Sequence, residues 1–347
     1  MTEQSLIYGV DLHARGLAAF ADESRTVFAV GTYSLKQDAQ VFLLETDDRW
    51  SRINGKGYDF GPGQICYMSG HPNSQKFMFS SVSHRVVDSK LRYDVSICEI
   101  DESTHSLRKL SSLKLENDGN AVYKAEFNPS GDRLAVLTRN SLIVADVDST
   151  SSEFSEIFTR ELLPPTNLKS TSRCTCVAWD RHDAGLYVGV DSSVALVDPR
   201  SPNTIPILSN RRFRVTALDA GPLSLNRLVV GGEDGRITLW DTRKTDAYLF
   251  STQPHQHWVT DVRFNHTYES LLLSCGSDGR VFMLHLTPDA EKGYKLDADA
   301  VVDGDDSVYT CVWAGNDPFA AASLAYDGRL TASRVRKSLK YKLLSGS

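Results

Sequence analysis

The sequence predicts an all-β fold, a single seven-bladed β-propeller spanning residues 1–347. Two features predict it: a unit of apolar strands that recurs along the chain, and Asp-Gly turns inside the later units. Segments 229–243, 273–287 and 322–336 each read as an apolar strand, an Asp-Gly turn, an arginine and a second apolar strand. Asp-Gly between two strands is a strong hairpin signal, and we expect positive φ at both turn residues.

Each hairpin is preceded by a further strand, at 214–220, 258–264 and 307–313. Weaker copies of the unit occupy 6–45, 64–101, 121–148 and 174–200. Corresponding positions in successive units are 43 to 54 residues apart. A period of roughly 40–45 residues with four strands per unit is typical of propeller blades, and loop insertions account for the excess. The segments alternate or run apolar for several residues, which favours strands over helical repeats.

The repeat predicts how the ring is divided and closed. We place the blades at 6–60, 61–115, 120–163, 173–210, 213–253, 256–300 and 305–346. Outer strands are expected at 106–115, 155–162, 204–209, 247–252 and 337–344, and 6–12 is expected to be the inner strand of blade one. The ring would then close by blade-on-blade packing, without a strand shared between the termini. The acidic segment 287–306 is expected to be a solvated loop.

Composition limits the class of protein. The chain has 347 residues, 41% hydrophobic and 24% charged, as in ordinary soluble globular proteins. A net charge of −6 argues against a generic nucleic-acid binder, which needs a basic face. The start of the chain lacks the pattern of a signal peptide, and no apolar run reaches the roughly 20 residues of a membrane span. We therefore expect a cytoplasmic protein whose membrane contact is only indirect.

The sequence shows no pattern typical of catalysis. A nucleophile elbow, a phosphate-binding loop and a dinucleotide fingerprint are all missing from it. Cys174 and Cys176 are not followed by a second cysteine pair, so we expect them to pack and not to bind metal. The sequence thus predicts no catalytic residue, cofactor, metal or small-molecule substrate. Catalysis assembled from scattered loops stays open as an alternative.

The segment LWDTR at 239–243 carries the Trp-Asp pair of WD repeats. The position of His255 before the inner strand matches the histidine of such repeats, and it predicts hydrogen bonds to Ser274 and Asp278. The alternative, a zinc site at His255 and His257, would need carboxylates or cysteines nearby. In blade seven Gly304 stands where the histidine would be. The expected structural network of the blades comprises His255, Ser274, Asp278, Trp240, Asp234, Ser323 and Asp327.

A closer resemblance covers nearly the whole chain. The segments IYGVDLHARGL, VGTYSLK (30–36), HWVTDVRFNH (257–266), SLAYDGRL (323–330) and LKYKLL (339–344) resemble the family of EARP- and GARP-interacting WD-repeat proteins. The resemblance implies binding to the endosome-associated recycling protein and Golgi-associated retrograde protein complexes, through their vacuolar-protein-sorting subunits. It also implies roles in endosomal recycling, retrograde transport to the trans-Golgi network and dense-core vesicle cargo sorting, with peripheral location on endosomes and the trans-Golgi network. It brings no catalytic residues.

The arginines of the Asp-Gly-Arg turns suggest where a partner binds. In a WD propeller these turns lie on the face that also carries the connections between blades, so we expect a basic arc with an aromatic anchor there. Its candidate residues are Arg211, Arg212, Arg214, Arg236, Trp258, Arg280 and Arg329. The alternative is that each arginine is an ordinary solvated residue paired to a local acid. A different function, substrate reception for a cullin-based ubiquitin ligase, is suggested by the Trp-Asp-x-Arg ending of LWDTR.

Overall fold

The computed structural model describes residues 5–22, 24–47, 49–74, 77–87, 89–113, 115, 121–148, 151, 153–163, 172–181, 185–201, 203–209, 212–224, 226–290 and 293–345. Within these ranges the strands form seven antiparallel four-stranded sheets. The innermost strands of neighbouring sheets contact each other around a closed ring. The predicted seven-bladed β-propeller is therefore confirmed.

The first strand of the chain, β1 (Ser5–Gly9), belongs to the last blade. Blade one contains β2 (Ala14–Ala19), β3 (Val27–Thr32), β4 (Ala39–Thr46) and β5 (Ile53–Gly61). Blade two contains β6 (Gln64–Gly70), β7 (Phe77–Val87), β8 (Lys90–Asp101) and β9 (Ser106–Leu113). Blade three contains β10 (Val122–Phe127), β11 (Arg133–Thr138), β12 (Ser141–Val147) and β13 (Phe154–Glu161). In each blade the strands run from the channel outwards in chain order.

The next three blades repeat this order. Blade four contains β14 (Cys174–Trp179), β15 (Leu186–Val190), β16 (Ser193–Val197) and β17 (Thr204–Leu208). Blade five contains β18 (Val215–Ala220), β19 (Arg227–Gly232), β20 (Ile237–Asp241) and β21 (Phe250–Thr252). Blade six contains β22 (Val259–Phe264), β23 (Leu271–Gly276), β24 (Arg280–Asp289) and β25 (Gly293–Asp303). The segment 287–306, expected to be a loop, thus supplies the outer strand of blade six, although most of that strand is solvated.

The closure of the ring differs from the prediction. Blade seven contains β26 (Val308–Trp313), β27 (Ala320–Ala325) and β28 (Arg329–Arg334), and β1 pairs with β28 as its outer strand. The termini therefore share one sheet, and the prediction of closure without a shared strand is wrong. Residues 6–12 are not the inner strand of blade one, which is β2. The pairing of β1 with β28 therefore closes the ring through backbone hydrogen bonds as well as through side-chain packing.

The predicted outer strand at 337–344 is also wrong, because these residues form the helix α1 (Lys337–Ser345). The alternation of lysine with larger residues suggested a strand. However, Leu339 and Leu343 within α1 are four residues apart, the spacing of one helix face. Both of them, and Val335 just before the helix, pack into the core between blades six and seven, against residues such as Phe319. With β1 occupying the outer edge of blade seven, the C-terminal segment has no strand to pair with.

The Asp-Gly turns have one left-handed residue, not two. The glycines have φ of 77° at Gly235, 79° at Gly279 and 88° at Gly328, whereas the preceding aspartates are not in this region. Each aspartate carboxylate instead accepts a hydrogen bond from the backbone N–H of the arginine two residues later. Such a local bond stabilises the turn without positive φ at the aspartate.

The core is divided between the blades. Each apolar cluster joins the facing sides of two neighbouring sheets, for example blades three and four. Cys174 lies in that cluster, and Cys176 lies in the next one, between blades four and five. The two thiols therefore pack on opposite faces of one sheet. The apolar interfaces around the ring leave the channel mouths and the edges of the disc accessible to a partner.

Candidate functional site

The blade connections and the turns between second and third strands lie together on one face, which we call the upper face. The turn at Gly279 demonstrates this, because a Cβ atom there would approach the carbonyl of Gly304 in the next connection to 2.1 Å. Gly235 is packed in the same way against the carbonyl of His255. The predicted arginines and Trp258 are placed by these turns and connections.

The three turn arginines each have an acidic partner. Arg236 lies 3.6 Å from Asp234, Arg280 lies 2.9 Å from Asp303, and Arg329 lies 2.6 Å from Asp327. All three keep a third to a half of their side-chain surface exposed. An exposed pair of this kind contributes about 0–1 kcal/mol to stability, so these arginines stay available to a partner. Their joint role as a basic arc remains a prediction.

The three arginines of the connection into blade five differ in their surroundings. Arg211 lies outside the described residues. The guanidinium of Arg212 lies 5.2 Å from the ring centroid of Phe213, a cation–π contact on the surface. Arg214 lies 3.8 Å from Asp191 and reaches towards the channel.

His255 forms the expected hydrogen bonds in blade six. Its Nδ1 lies 3.0 Å from the Asp278 carboxylate and its Nε2 lies 3.1 Å from the Ser274 hydroxyl. Burial lowers the pKa of His255, although Asp278 opposes the shift. A neutral ring with a carboxylate at Nδ1 donates from that nitrogen and accepts the serine proton at Nε2. His257 is exposed and lies beside Ser277.

Among the described residues, no histidine is hydrogen-bonded to the other predicted network residues. In blade five the Trp240 indole donates a hydrogen bond to Thr238 on its own strand at 2.9 Å. The Asp234 carboxylate accepts a hydrogen bond from the backbone N–H of Arg236 within its own turn. In blade seven Asp327 binds Arg329 instead. A cavity of about 20 Å³ lies between Gly304 and Ser323, where blade six holds its histidine.

A feature that the sequence reasoning missed surrounds the upper end of the channel. The inner strand of every blade has a register shift near its start, so that one residue is skipped. The skipped residues form what we call the bulge ring: Arg15, Cys66, Tyr123, Thr175, Thr216, Thr260 and Tyr309. A bulge redirects a side chain out of the regular alternation. The signal was present in the sequence as Cys-Thr, Val-Thr and Val-Tyr pairs opening successive inner strands.

The side chains of the bulge ring are large on one side of the channel and small on the other. Arg15 lies 4.5 Å from the ring centroid of Tyr309 and 5.2 Å from that of Tyr33, which fills the mouth at blades seven and one. Blades four, five and six carry threonine instead. Their hydroxyls bond to backbone carbonyls, for example Thr175 to Gly189 at 3.2 Å and Thr216 to Gly231 at 3.3 Å. The smaller side chains leave space above them.

That space is a cavity of about 260 Å³, which we call the upper pocket. Lys124 and Glu233 also contribute to its surface. The side chain of Trp258 is 45% exposed, and its ring stacks on His257 at 5.5 Å. The walls of the upper pocket include Tyr123, Arg173, Thr175, Arg214, Thr216 and Trp258. Two predicted residues, Arg214 and Trp258, are therefore brought together, whereas Arg236, Arg280 and Arg329 lie outside this pocket.

A cysteine and a histidine meet beside the upper mouth at blade two. The Cys66 thiol lies 2.8 Å from Nδ1 of His84. Burial raises the pKa of Cys66 to about 12, and burial lowers the pKa of His84. The pair is therefore a thiol and a neutral imidazole at neutral pH. A nucleophilic cysteine needs a thiolate, so this pair lacks the activation that cysteine catalysis requires.

The channel below the pocket holds charged side chains from several blades. Arg263 of blade six contacts Glu126 of blade three at 2.5 Å and donates to the Tyr67 hydroxyl of blade two at 3.3 Å. Asp261 accepts a hydrogen bond from Thr310 at 3.0 Å. Burial alone would lower the pKa of Lys124, but the negative charges around it, first of all that of Asp261, outweigh burial and raise the pKa above its ordinary value. The contacts of Arg263 with Glu126 and Tyr67 cross the channel, whereas Asp261 and Thr310 lie on neighbouring blades.

Asp219 faces the lower mouth of the channel. It lines a cavity of about 340 Å³ together with Arg263 and Glu126. One carboxylate oxygen accepts a hydrogen bond from the backbone N–H of Phe264 at 2.7 Å. Burial raises the pKa of Asp219 to about 7, although Arg263 opposes the shift. This carboxyl group therefore keeps its proton to a much higher pH than an ordinary aspartate.

Two features are missing from the described residues. In those ranges no three histidine, cysteine or acidic side chains are grouped as a metal site would require. Among the same residues, no helix is both long and apolar enough to cross a bilayer.

The seven sheets, the Trp-Asp pair and the His255–Ser274–Asp278 bonds define a WD-repeat β-propeller. Comparison with known proteins then identifies its family. Residues 2–284 match the family described as EIPR1 beta-propeller, and the chain belongs to that family. It is 28% identical to EARP-interacting protein 1 of Caenorhabditis elegans, covering 98% of this chain and 99% of the relative. It is 28% identical to the human EARP and GARP complex-interacting protein 1, covering 98% of each. WD repeat-containing protein DWA2 of Arabidopsis thaliana is also 28% identical, covering 96% of this chain and 97% of that protein.

Proposed function

We propose that this propeller is a non-enzymatic adaptor that binds the EARP and GARP tethering complexes. The observation that carries the proposal is the similarity, over 98% of the chain, to proteins named for interaction with those complexes. A propeller is well suited to this role, because its rigid ring presents loops and channel mouths to partners. The thiol form of Cys66 also favours a binding role over cysteine catalysis.

The proposal extends to where the adaptor works. We place it in the cytoplasm, attached to endosomes and the trans-Golgi network through the vacuolar-protein-sorting subunits of the tethers. In that position it would support endosomal recycling, retrograde transport to the trans-Golgi network and sorting of dense-core vesicle cargo. Membrane contact would be indirect, because the tether supplies the attachment.

Binding of purified components tests the proposal. The chain is immobilised, and reconstituted EARP and GARP complexes from the same organism are passed over it. We expect saturable binding of both complexes, with an unrelated seven-bladed WD propeller as the control. If neither complex binds a chain that melts cooperatively, the proposal is wrong. Selective capture of a cullin–ligase adaptor by the same chain would support the ubiquitin-ligase alternative.

A fluorescent fusion tests the cellular part. We expect it on endosomes and the trans-Golgi network, and we expect it to become diffuse when the tether subunits are depleted. A fusion that stays on these membranes without the tether would contradict indirect attachment.

A further inference from the structure

We propose that the upper pocket binds a short acidic peptide segment of a partner protein. A bulky apolar side chain of that segment would lie between Tyr123 and Trp258, and a neighbouring aspartate or glutamate would pair with Arg173. This inference rests on the proposed function, since it names the surface and the kind of segment through which the adaptor would hold a partner.

The shape of the pocket fits a side chain and not a folded domain. Its volume of about 260 Å³ is slightly below the roughly 300–1,000 Å³ of small-molecule sites. It exists because Thr175 and Thr216 stand where the opposite side of the bulge ring carries Arg15 and Tyr309. Both threonine hydroxyls are bonded to backbone carbonyls, so the polar groups of these two side chains are already satisfied. An apolar group can therefore cover these two threonines without leaving either hydroxyl unpaired.

The aromatic walls supply the apolar contact. Trp258 is 45% exposed although it lies at the edge of a pocket, and Tyr123 lies on the opposite wall in blade three. Trp258 is held in place by its stacking on His257, so little side-chain entropy is lost when a partner covers it. Tryptophan and tyrosine at a concave site are typical of interface hot spots.

The charges favour an anion at the blade-four side. In the described part of the chain, no carboxylate lies within ion-pair distance of the exposed Arg173 guanidinium, while its backbone N–H is bound by Asp191 at 3.1 Å. Arg214 lies 3.8 Å from the same Asp191 carboxylate, and Lys124 below lies 4.0 Å from Asp261. Glu233 lines the pocket from blade five, the side nearer Trp258.

The three cations and single carboxylate of the lining therefore complement an acidic segment. The partner carboxylate would lie at Arg173 and its apolar side chain towards Trp258. An exposed arginine with no acidic partner among the described residues can offer both of its guanidinium edges to a bidentate carboxylate contact.

A peptide library displayed on phage tests the inference, because selection from random sequences requires no identified partner. The library is selected on the wild-type chain, on Arg173→Glu and on Thr216→Trp, which fills the pocket. Arg85→Glu is the matched control, a charge reversal of an exposed arginine in the upper-face hairpin of blade two, outside the pocket and outside the predicted basic arc. We expect the wild type and Arg85→Glu to enrich one motif, an aspartate or glutamate next to a tryptophan, phenylalanine or leucine. A synthetic peptide of that motif should bind Arg173→Glu at least tenfold more weakly, as measured by fluorescence anisotropy.

Two results would overturn the inference: enrichment of no acidic motif by the wild type, or equal binding of the selected peptide to Arg173→Glu and wild type. Arg173 is on the surface, so its variant keeps the test decisive even if Thr216→Trp does not fold. Binding of the purified EARP complex is measured in parallel. If the wild type binds EARP but Arg173→Glu binds it equally and no motif emerges, the pocket inference fails and the adaptor function stands. If a pocket-dependent motif emerges but EARP does not bind, the adaptor function fails and the pocket stands.

Discussion

Arg263 and Glu126 form an ion pair across the channel, from blade six to blade three, with Nη1 and Oε1 2.5 Å apart. The two residues are 137 positions apart in the sequence. Both side chains are only 15% exposed. The pair is surrounded by further charges, since Arg263 also lies 3.3 Å from Asp261. The guanidinium thus compensates more than one carboxylate in the centre of the ring.

We predict that Arg263→Met lowers the free energy of unfolding by about 3–5 kcal/mol, because removing one partner leaves buried carboxylates uncompensated. Arg200→Met is the matched control, since Arg200 is also paired with an aspartate, 3.1 Å away, but is 75% exposed. The control should change stability by no more than about 0.5 kcal/mol. Urea denaturation measures both. A loss for Arg263→Met as small as that of the control would show that the cross-channel pair does not stabilise the ring.

Asp219 should make stability depend on pH. Its pKa in the folded chain is about 7 against an ordinary value of 3.8, so the folded state holds a proton that the unfolded state has released between these values. The free energy of unfolding should therefore fall as pH rises through this window and become flat above it. The variant Asp219→Asn has no carboxyl group that titrates, and its amide oxygen can still accept the hydrogen bond from the backbone N–H of Phe264.

The measurement compares the two proteins at each pH, so that titration of the histidines cancels. The stability of Asp219→Asn relative to wild type should increase from about pH 4 to about pH 7 and then remain constant. A difference that does not change with pH would contradict the raised pKa of Asp219.

The fold was predictable because its signals are local. Asp-Gly turns such as those at Gly235 and Gly279 can be read in short windows, and each blade repeats the same strand order. The His255 bonds in blade six were predictable for the same reason, since the spacing of a WD repeat fixes which residues meet.

What the sequence did not predict depends on distant parts of the chain or on register. No local sequence pattern indicates whether the strand that contains Leu6 pairs within blade one or with blade seven. Leu339 has neighbours that alternate as in a strand, and only the core between blades six and seven selects the helical spacing. The upper pocket depends on bulges at Thr175 and Thr216, and a one-residue shift in pairing is invisible to hydrophobic periodicity.

The strand β1 offers a direct test of the ring closure. Leu6 packs against the core between blades seven and one, whereas Ile7 on the same strand is 65% exposed. We predict that Leu6→Asp lowers the free energy of unfolding by about 1–3 kcal/mol, because it places a charged group against an apolar core. Ile7→Asp carries the same charge one residue away and should have little effect. Thermal denaturation of both variants checks this. Equal losses would mean that β1 is not held in the register seen here.

Ser274 and Ser323 test what the histidine contributes to a blade. They occupy the same position in blades six and seven, four residues before the turn aspartate, but only blade six has His255 beside it. Ser274→Ala removes the hydrogen bond to the buried Nε2 of His255 and leaves that nitrogen unpaired, which should cost about 1–3 kcal/mol. Ser323→Ala deletes the same hydroxyl where Gly304 replaces the histidine, so it should cost less than half as much. Chemical denaturation of the two variants measures the difference. Similar losses would indicate that the serine stabilises the blade through its own packing, and that the histidine bond in blade six adds nothing measurable.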